Sequence, residues 1–218
     1  MSLGLEIDEK IETTQASIEK AMVKSESERP VYISFDEYSP GFGGIRSSLL
    51  LAQHLNSFIR HADIVKMANI TMITALTGNS PKGVFKNSLF HTFNLYSNNA
   101  LGTALDVYTD APSYDNEIFD NIPYLDVTAI YNESEKKVIV NVVNRHETDG
   151  IRTKIDLQAG SYTGKAKINL INAENLDARN TFDKSPVSVE TKQITFKGNV
   201  IKHTFPAHSF TQIEIATK

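Results

Sequence analysis

The stretch Val31-Tyr32-Ile33-Ser34-Phe35-Asp36-Glu37-Tyr38 determines how the first half of the chain is interpreted. It is a short apolar run that ends on two carboxylates, and runs of this kind, when turn residues bound them, are typical of buried strands in a parallel sheet. In barrel enzymes the chemistry takes place where such strands end, which makes Asp36 and Glu37 candidate catalytic residues. The alternative is that both carboxylates only solvate a loop, and this stretch taken alone favours that alternative.

The segments around this stretch alternate between helical and extended patterns. They predict a helix over residues 6–25, a helix whose face carries Leu51, Leu55 and Phe58, a strand over 64–70 and a helix over 88–97. With the strand that the opening stretch predicts, this is the order of consecutive βα units in a parallel sheet. Two parallel strands can neither close a barrel of eight nor cover their own edges. The first half is therefore either the end of a larger barrel or packed in another way.

After Gly102 the pattern changes to alternating apolar and polar residues, which is typical of antiparallel strands. The predicted elements are a hairpin of 125–131 and 138–142, a strand over 166–171, a second hairpin of 193–197 and 200–205 around Gly198-Asn199, and a closing strand over 211–215. Short strands at this spacing indicate an antiparallel sandwich. The sequence thus predicts an α+β chain, with a partial barrel segment over residues 1–100 and a β-sandwich over residues 101–218.

Composition excludes several classes of partner. The chain has 218 residues, a net charge of −4 and no long basic run, so we expect neither nucleic acid nor a membrane as a partner. Cysteine is absent, which excludes disulfides and thiolate metal sites and leaves the compartment unassigned. The N-terminal residues do not resemble a signal peptide, which is compatible with a natural leader having been removed.

Metal and nucleotide sites find no support in the sequence. The histidines show no HxxxH or HxxEH pairing, and we expect them at the surface or at the edge of the core: His54, His61, His91, His146, His203 and His208. There is no GxSxG motif, no P-loop and no GxGxxG motif after a strand. We therefore expect neither a metal nor a cofactor.

Tyrosines of the predicted sandwich are candidates for stacking on sugar: Tyr108, Tyr114, Tyr124 and Tyr162. Packing in the core or at its edge is the favoured explanation for each of them. Tryptophan, the usual sugar-stacking residue, is absent from the chain. This absence weakens the interpretation of the second half as a carbohydrate-binding module.

Hydrolysis of a glycosidic bond with retention requires two carboxyl groups about 5 Å apart. One attacks the anomeric carbon, and the other first donates and then accepts a proton. Adjacent residues of a strand point to opposite faces, so Asp36 and Glu37 cannot line one site as a pair. At most one of them is catalytic, and its partner must come from elsewhere.

Several motifs in this sequence resemble one family. Ile33 to Glu37, followed by an aromatic residue, resembles the seventh-strand motif of family 51 glycoside hydrolases, the α-L-arabinofuranosidases. Further motifs of that family occur in the same order over most of residues 30–215: 61–70, 90–96, 112–115, 122–127, 142–146 and 205–211.

This resemblance implies a TIM barrel capped by a jelly-roll-like sandwich and a retaining mechanism on arabinose-containing polysaccharides or oligosaccharides. It assigns Glu37 as the nucleophile and Asp36 as a supporting residue. The family's acid/base glutamate lies in an Asn-Glu motif after the fourth barrel strand, and barrel strands one to six are missing here. We therefore expect a C-terminal fragment with the last two βα units of the barrel, without useful catalysis on its own.

The chain departs from the family's pattern at three places. Tyr38 occupies the position where the family usually has Trp, and the loop from Ser39 to Ile45 is shorter. Met72 lies where the eighth strand usually supplies a Gln that bonds the arabinose. Tyr38 and Met72 are accordingly expected at substrate-binding positions, and the loss of the Gln predicts a shifted sugar preference or another substrate.

Two rival interpretations remain open. The second half is either part of such an enzyme or a non-catalytic module that binds glycan or docks on a partner. In addition, the exposed edges of parallel strands favour association, either of two copies of the chain or of the chain with a separate barrel portion.

Overall fold

The computed structural model of the protein describes residues 4–41, 43–71 and 76–218 and has a mixed α+β fold, as the sequence predicts. The helices of these residues are α1 (Leu5–Ser25), α2 (Gly44–Arg60) and α3 (Ser88–Asn99). The strands up to α3 are β1 (Ile33–Tyr38), β2 (Val65–Ile70), β3 (Thr77–Ser80) and β4 (Gly83–Lys86). The strands after α3 are β5 (Thr103–Leu105), β6 (Ser113–Tyr114), β7 (Ile122–Pro123), β8 (Leu125–Asn132), β9 (Lys137–Asn144), β10 (Ile151–Asp156), β11 (Tyr162–Asn172), β12 (Ser188–Thr195), β13 (Val200–Phe205) and β14 (Ser209–Thr217).

β1 runs parallel to β2, and α2 connects the two strands, so the predicted βα unit is confirmed. The prediction that this strand is buried is wrong, because Ser34, Asp36 and Glu37 are exposed. In the described part of the chain, helices cover one face of this two-stranded sheet, and Ile33 and Tyr38 pack into that face. Asp36 and Glu37 are among the last three residues of the strand.

The core beneath this sheet draws on all three helices. The buried members that the helices contribute are Ile7 and Ile11 of α1, Leu51 and Phe58 of α2, and Leu89 of α3. The apolar faces that the helical spacing predicts are therefore the faces that pack. As a result, α1 and α2 lie side by side behind β1.

The second half is built on a six-stranded antiparallel sheet with the strand order β12-β11-β14-β9-β8-β5. The predicted hairpin between residues 125 and 142 is confirmed as the pair β8 and β9. One face of the sheet packs on the smaller sheet of β10 and β13. The apolar side chains between the two sheets include Val138, Val140, Ile168, Ile201, Phe205 and Ile213.

The second predicted hairpin, around Gly198-Asn199, is wrong. β12 pairs with β11, and β13 pairs with β10, so the chain passes from the large sheet to the small one at this turn. Ile194 and Ile201, on either side of the turn, pack into the same core from its two sides. Turn residues predict a change of direction but not which strand each arm pairs with, and the shared core determined the pairing here.

The opposite face of the six-stranded sheet packs on α2 and α3. Apolar contacts join Leu49 and Tyr96 of the helices to Val143 and Phe210 of the sheet, and the Tyr96 and Phe210 rings stack with centroids 5.0 Å apart. The first and second halves of the chain therefore share a core.

A row of polar residues crosses this face of the sheet, one from each of five neighbouring strands: Thr191, Asn169, Gln212, Asn141 and Thr128. The helices bond to this row. Asn99 donates to Gln212 at 2.6 Å, and Thr128 donates to Asn56 at 2.8 Å. Buried hydrogen bonds are directional, so they fix the position of α2 on the sheet, and with it the end of β1.

Gly102 precedes β5 with φ of 138°, and a Cβ atom there would lie 2.2 Å from the carbonyl oxygen of Tyr131. That carbonyl belongs to β8, which pairs with β5. Because backbone cannot yield without opening the pair, we expect Gly102→Ala to lower the free energy of unfolding by at least about 2 kcal/mol. Urea denaturation would measure the loss.

Gly198→Ala is the matched control, since Gly198 also has positive φ, at 65°, but no described residue beyond its two chain neighbours comes within 4 Å of where a Cβ atom would lie. Only the left-handed backbone then costs free energy, about 1 kcal/mol. A loss at position 102 no larger than the loss at position 198 would show that the contact with Tyr131 has no consequence.

Candidate active site

A cavity of about 310 Å³ opens at the carboxyl end of β1, between α1 and α2. Its volume is at the lower end of the range of about 300–1,000 Å³ that small-molecule sites occupy. The described residues that line it are Glu6, Ile7 and Lys10 of α1, Phe35, Glu37, Tyr38 and Ser39 at the end of β1, and Leu50 and His54 of α2. The lining thus combines two carboxylates, one ammonium group and an imidazole with aromatic and aliphatic side chains.

Glu37 is an exposed carboxylate at the end of a parallel strand. Neither a hydrogen bond nor a salt bridge joins its side chain to any residue that the structure describes. The pairing of β1 with β2 runs through Ile33, Ser34 and Phe35 and resumes at Tyr38, so Glu37 has no partner residue in the described part of this sheet. An unpaired carboxylate beside a cavity is available to a ligand.

Asp36 points elsewhere. The Ser34 hydroxyl donates a hydrogen bond of 2.6 Å to Oδ1 of Asp36, two residues along the same strand. The described lining of the cavity includes Glu37 and not Asp36. This arrangement agrees with the expectation that the two adjacent carboxylates do not line one site together.

Tyr38 is buried, and its ring lies against α2. It meets the rings of Phe58 and His54 edge to face, with centroids 5.1 Å and 6.0 Å apart. Burial raises the pKa of the Tyr38 hydroxyl to about 12. Its role in substrate binding stays a prediction, and Met72, the other residue predicted to contact substrate, lies outside the described residues.

His54 is only 6% exposed, so the expectation of a surface or core-edge histidine is wrong for this residue. Burial lowers its pKa to about 4, and the positive charge of Lys10 acts in the same direction, against the smaller opposing effect of Asp8. Its Nδ1 atom is buried and has no hydrogen-bond partner among the residues that the structure describes. The helical spacing did contain a signal, since His54 lies three residues after Leu51 and four before Phe58, on the apolar face of α2.

The pKa of His54 predicts a loss of stability in acid. The unfolded chain binds the proton near pH 6.5 and the folded chain only near pH 4, so folding becomes less favourable as the pH falls between these values. The full difference is about 3 kcal/mol. Urea denaturation of the wild type and of His54→Phe at several pH values between these limits would measure it, because the variant lacks this group.

His91→Phe serves as the control for this series. The pKa of His91 is also lowered, by burial and by Lys86, but the residue is partly exposed. We expect its replacement to change the acid dependence much less. Equal acid dependence of the wild type and His54→Phe would contradict the argument.

A charge cluster around the buried Asp126 joins α2 to the large sheet. Arg60 of α2 donates to Asp126 of β8 at 2.7 Å and to Asp8 of α1 at 3.0 Å. Arg145 lies 3.6 Å from the same Asp126 carboxylate. Burial alone would raise the pKa of Asp126, but the two arginines outweigh it and hold that pKa below its usual value. The cluster therefore links α1, α2 and the sheet through alternating charges.

The tyrosines that were candidates for sugar stacking do not form an exposed planar strip. Tyr114 stacks on Tyr124 at 4.7 Å, and Tyr124 in turn contacts His146 at 4.5 Å. The Tyr162 hydroxyl donates to a backbone carbonyl. Tyr108 alone among the four candidates is largely in solvent, 91% exposed. Rings that cover one another offer little face to a sugar, which argues against a glycan-binding module.

Neither a candidate metal site nor a candidate membrane-spanning helix occurs in the described ranges. No group of three or more His, Cys, Asp or Glu side chains there is placed to hold a metal ion. None of the helices in these ranges combines the length and the apolar character needed to cross a bilayer.

Comparison with known proteins identifies related chains. An intracellular exo-α-(1→5)-L-arabinofuranosidase of Halalkalibacterium halodurans is 23% identical over 206 residues, which cover 83% of this chain and 41% of that protein. A probable α-L-arabinofuranosidase C of Aspergillus niger is 28% identical over 229 residues, covering 92% of this chain and 43% of that protein. The chain thus spans less than half the length of these curated relatives.

The fold has a close counterpart among solved structures. A family 51 α-L-arabinofuranosidase from Bifidobacterium longum superposes with a TM-score of 0.88 at 18% identity, over 97% of this chain and 47% of that one. At this identity the match establishes the fold alone. A family model described as the α-L-arabinofuranosidase C-terminal domain, however, matches residues 43–209, most of the chain. These findings confirm the resemblance to the C-terminal portion of family 51 enzymes, and the chain belongs to the α-L-arabinofuranosidase C-terminal domain family.

Proposed function

We propose that this chain supplies the nucleophile, Glu37, to a retaining α-L-arabinofuranosidase that acts on arabinose-containing polysaccharides or oligosaccharides. The observation that carries the proposal is the Glu37 carboxylate, which lies unpaired among the described residues, at the end of a parallel strand and beside a cavity. The names of the relatives support the choice of substrate.

In this mechanism the Glu37 carboxylate attacks the anomeric carbon of the arabinofuranosyl unit. The bond to the leaving oxygen breaks as that oxygen takes a proton from a second carboxylic acid. Water, deprotonated by the same second carboxylate, then attacks the anomeric carbon, releases the sugar and restores Glu37. Asp36, held by the hydroxyl of Ser34, supports the strand end electrostatically and contributes no bond to the sugar.

The second carboxyl group comes, in this proposal, from a polypeptide segment that completes a TIM barrel. Residues 1–100 form its last two βα units, and residues 101–218 form a jelly-roll-like sandwich that supports them. The open face of the β1–β2 sheet favours this division, because Ser34 and Asp36 are exposed there and Met67 is 57% exposed. Parallel sheets normally have both faces covered.

The test is hydrolysis of a chromogenic α-L-arabinofuranoside by this chain alone and by the chain fused to the remaining barrel strands of a relative. We expect activity only in the fused protein. Absence of arabinofuranosidase activity from a folded fusion would contradict the proposal.

Light scattering during gel filtration tests the association of the chain with a partner. A second copy covering the open face would give a dimer, whereas a separate barrel portion would shift the mass only when it is added. A compact monomer that stays unchanged on that addition would reject both forms of association.

A further inference from the structure

Glu37 lies in a part of β1 that is not paired with β2. The register with β2 is interrupted between Phe35 and Tyr38, so neither Asp36 nor Glu37 has a partner residue across the pair. Pairing resumes at Tyr38, which aligns with Ile70 and accepts a 2.9 Å hydrogen bond from the Thr71 amide at its carbonyl oxygen. Tyr38 is therefore the first residue after Glu37 that the sheet holds, and its position constrains the preceding peptide.

Two residues of α2, one helical turn apart, contact the Tyr38 ring. Phe58 and His54 both meet it edge to face. Phe58 explains the apolar part of this contact, since a phenyl ring in a core needs no polar partner. His54 is the unexpected member, because its buried Nδ1 atom has no hydrogen-bond partner in the described part of the chain, and an apolar side chain would avoid that cost.

His54 also lines the same cavity as Glu37. The charged groups near it are Glu6, Asp8 and Lys10 on α1 and Glu37 at the end of β1. An uncharged ring in this position contacts Tyr38 without drawing the Glu37 carboxylate into an ion pair. A cation there would attract the carboxylate and reduce its availability to a substrate.

We propose that His54 is a positioning residue for the reaction: its ring fixes Tyr38, and through Tyr38 it fixes the direction in which Glu37 enters the cavity. The proposal rests on Glu37 acting as the nucleophile. It assigns no contact with the sugar to His54 itself.

The first test uses this chain as it is and does not depend on activity. The side-chain carboxyl ¹³C signal of Glu37, assigned by its disappearance in Glu37→Gln, reports the surroundings of that group. We expect His54→Leu to shift this signal and the Tyr38 ring signals, whereas His54→Phe, which keeps a ring at the same place, leaves them near their wild-type positions. The control is His91→Leu, because His91 packs edge to face on Phe90 but does not line the cavity.

The second test measures arabinofuranoside hydrolysis in the fused protein, well below its melting temperature. We expect His54→Leu to reduce kcat about 10- to 100-fold with little change in KM, as small misplacements of reacting groups do. His54→Phe should restore most of the lost kcat, and His91→Leu should have no effect.

The two tests separate the failure of this proposal from the failure of the proposed function. Carboxyl and ring signals of Glu37 and Tyr38 that do not respond to His54→Leu would overturn the positioning role, whatever the activity. A kcat that falls equally in His54→Phe and His54→Leu would also overturn it. If the signals respond as expected but every form is inactive, the proposed function fails and the structural link from His54 to Glu37 stands.

Discussion

Glu37→Gln is expected to abolish arabinofuranoside hydrolysis by the fused protein, with a loss of at least about 10³-fold in kcat. The amide has nearly the same shape as the carboxylate but is neutral and a poor nucleophile, so no glycosyl-enzyme intermediate forms. Because Glu37 has no hydrogen-bond or ion-pair partner among the described residues, the substitution breaks no contact there and should leave the free energy of unfolding unchanged. The measurement is the initial rate with a chromogenic substrate, alongside urea denaturation of the same variant.

Two neighbouring carboxylates provide controls for this result. Glu6 lines the same cavity from α1, and Glu6→Gln should retain activity within about tenfold if Glu37 alone attacks the sugar. Asp36→Asn changes the residue that accepts from Ser34 and should lower kcat by an intermediate factor, about 10- to 100-fold. Full activity of Glu37→Gln, or a larger loss from Glu6→Gln, would assign the nucleophile elsewhere.

Asp126→Ala is expected to destabilise the chain by about 3–5 kcal/mol. Asp126 is 4% exposed, and it lies against Arg60 and Arg145. Its removal leaves Arg145, whose side chain is 3% exposed, as a buried and uncompensated charge. Since domains are typically stable by about 5–15 kcal/mol, this is a large share of the total, and urea denaturation at neutral pH would detect it.

The exposed pair of Lys154 and Asp156 provides the comparison. Nζ of Lys154 lies 3.0 Å from Oδ2 of Asp156, but both side chains are exposed to solvent. Asp156→Ala should therefore lower the free energy of unfolding by only about 0–1 kcal/mol. Adding Arg145→Met to Asp126→Ala should recover part of the loss, because the unpaired charge is removed with it. If Asp126→Ala cost no more than Asp156→Ala, the cluster would have no role in holding α2 on the sheet.

Local patterns were sufficient for much of the fold. Leu51, Leu55 and Phe58 recur at helical spacing and lie on the packed face of α2, and the alternation on both sides of residue 135 forms the hairpin of β8 and β9. Such patterns depend only on the periods of the helix and the strand, which neighbouring residues impose on one another. The same locality explains the errors, because the turn at Gly198-Asn199 has hairpin chemistry while its two arms belong to different sheets.

The candidate site, like the fold, was predictable from the sequence only in part. Its position at the end of a parallel strand, and the choice of Glu37, came from the opening stretch and from the family resemblance. The cavity could not be predicted from either, because Glu6, Lys10 and His54 come from two helices. Whether these residues line a cavity with Glu37 depends on how α1 and α2 pack. The partnership of Asp126 with Arg60 spans 66 residues of sequence, and no period or motif reports a contact at that separation.

The sequence by itself determined that the chain combines βα units with antiparallel strands, which family it resembles, and which carboxylate is the candidate nucleophile. Only the tertiary structure decided that His54 is buried beside that carboxylate, that Tyr38 faces α2, and that helices and sheet share one core. The physical reason is that periodicity and turn chemistry report interactions between near neighbours. Burial, pairing partners and the charge state of an imidazole depend on residues that only the packing of distant segments brings together.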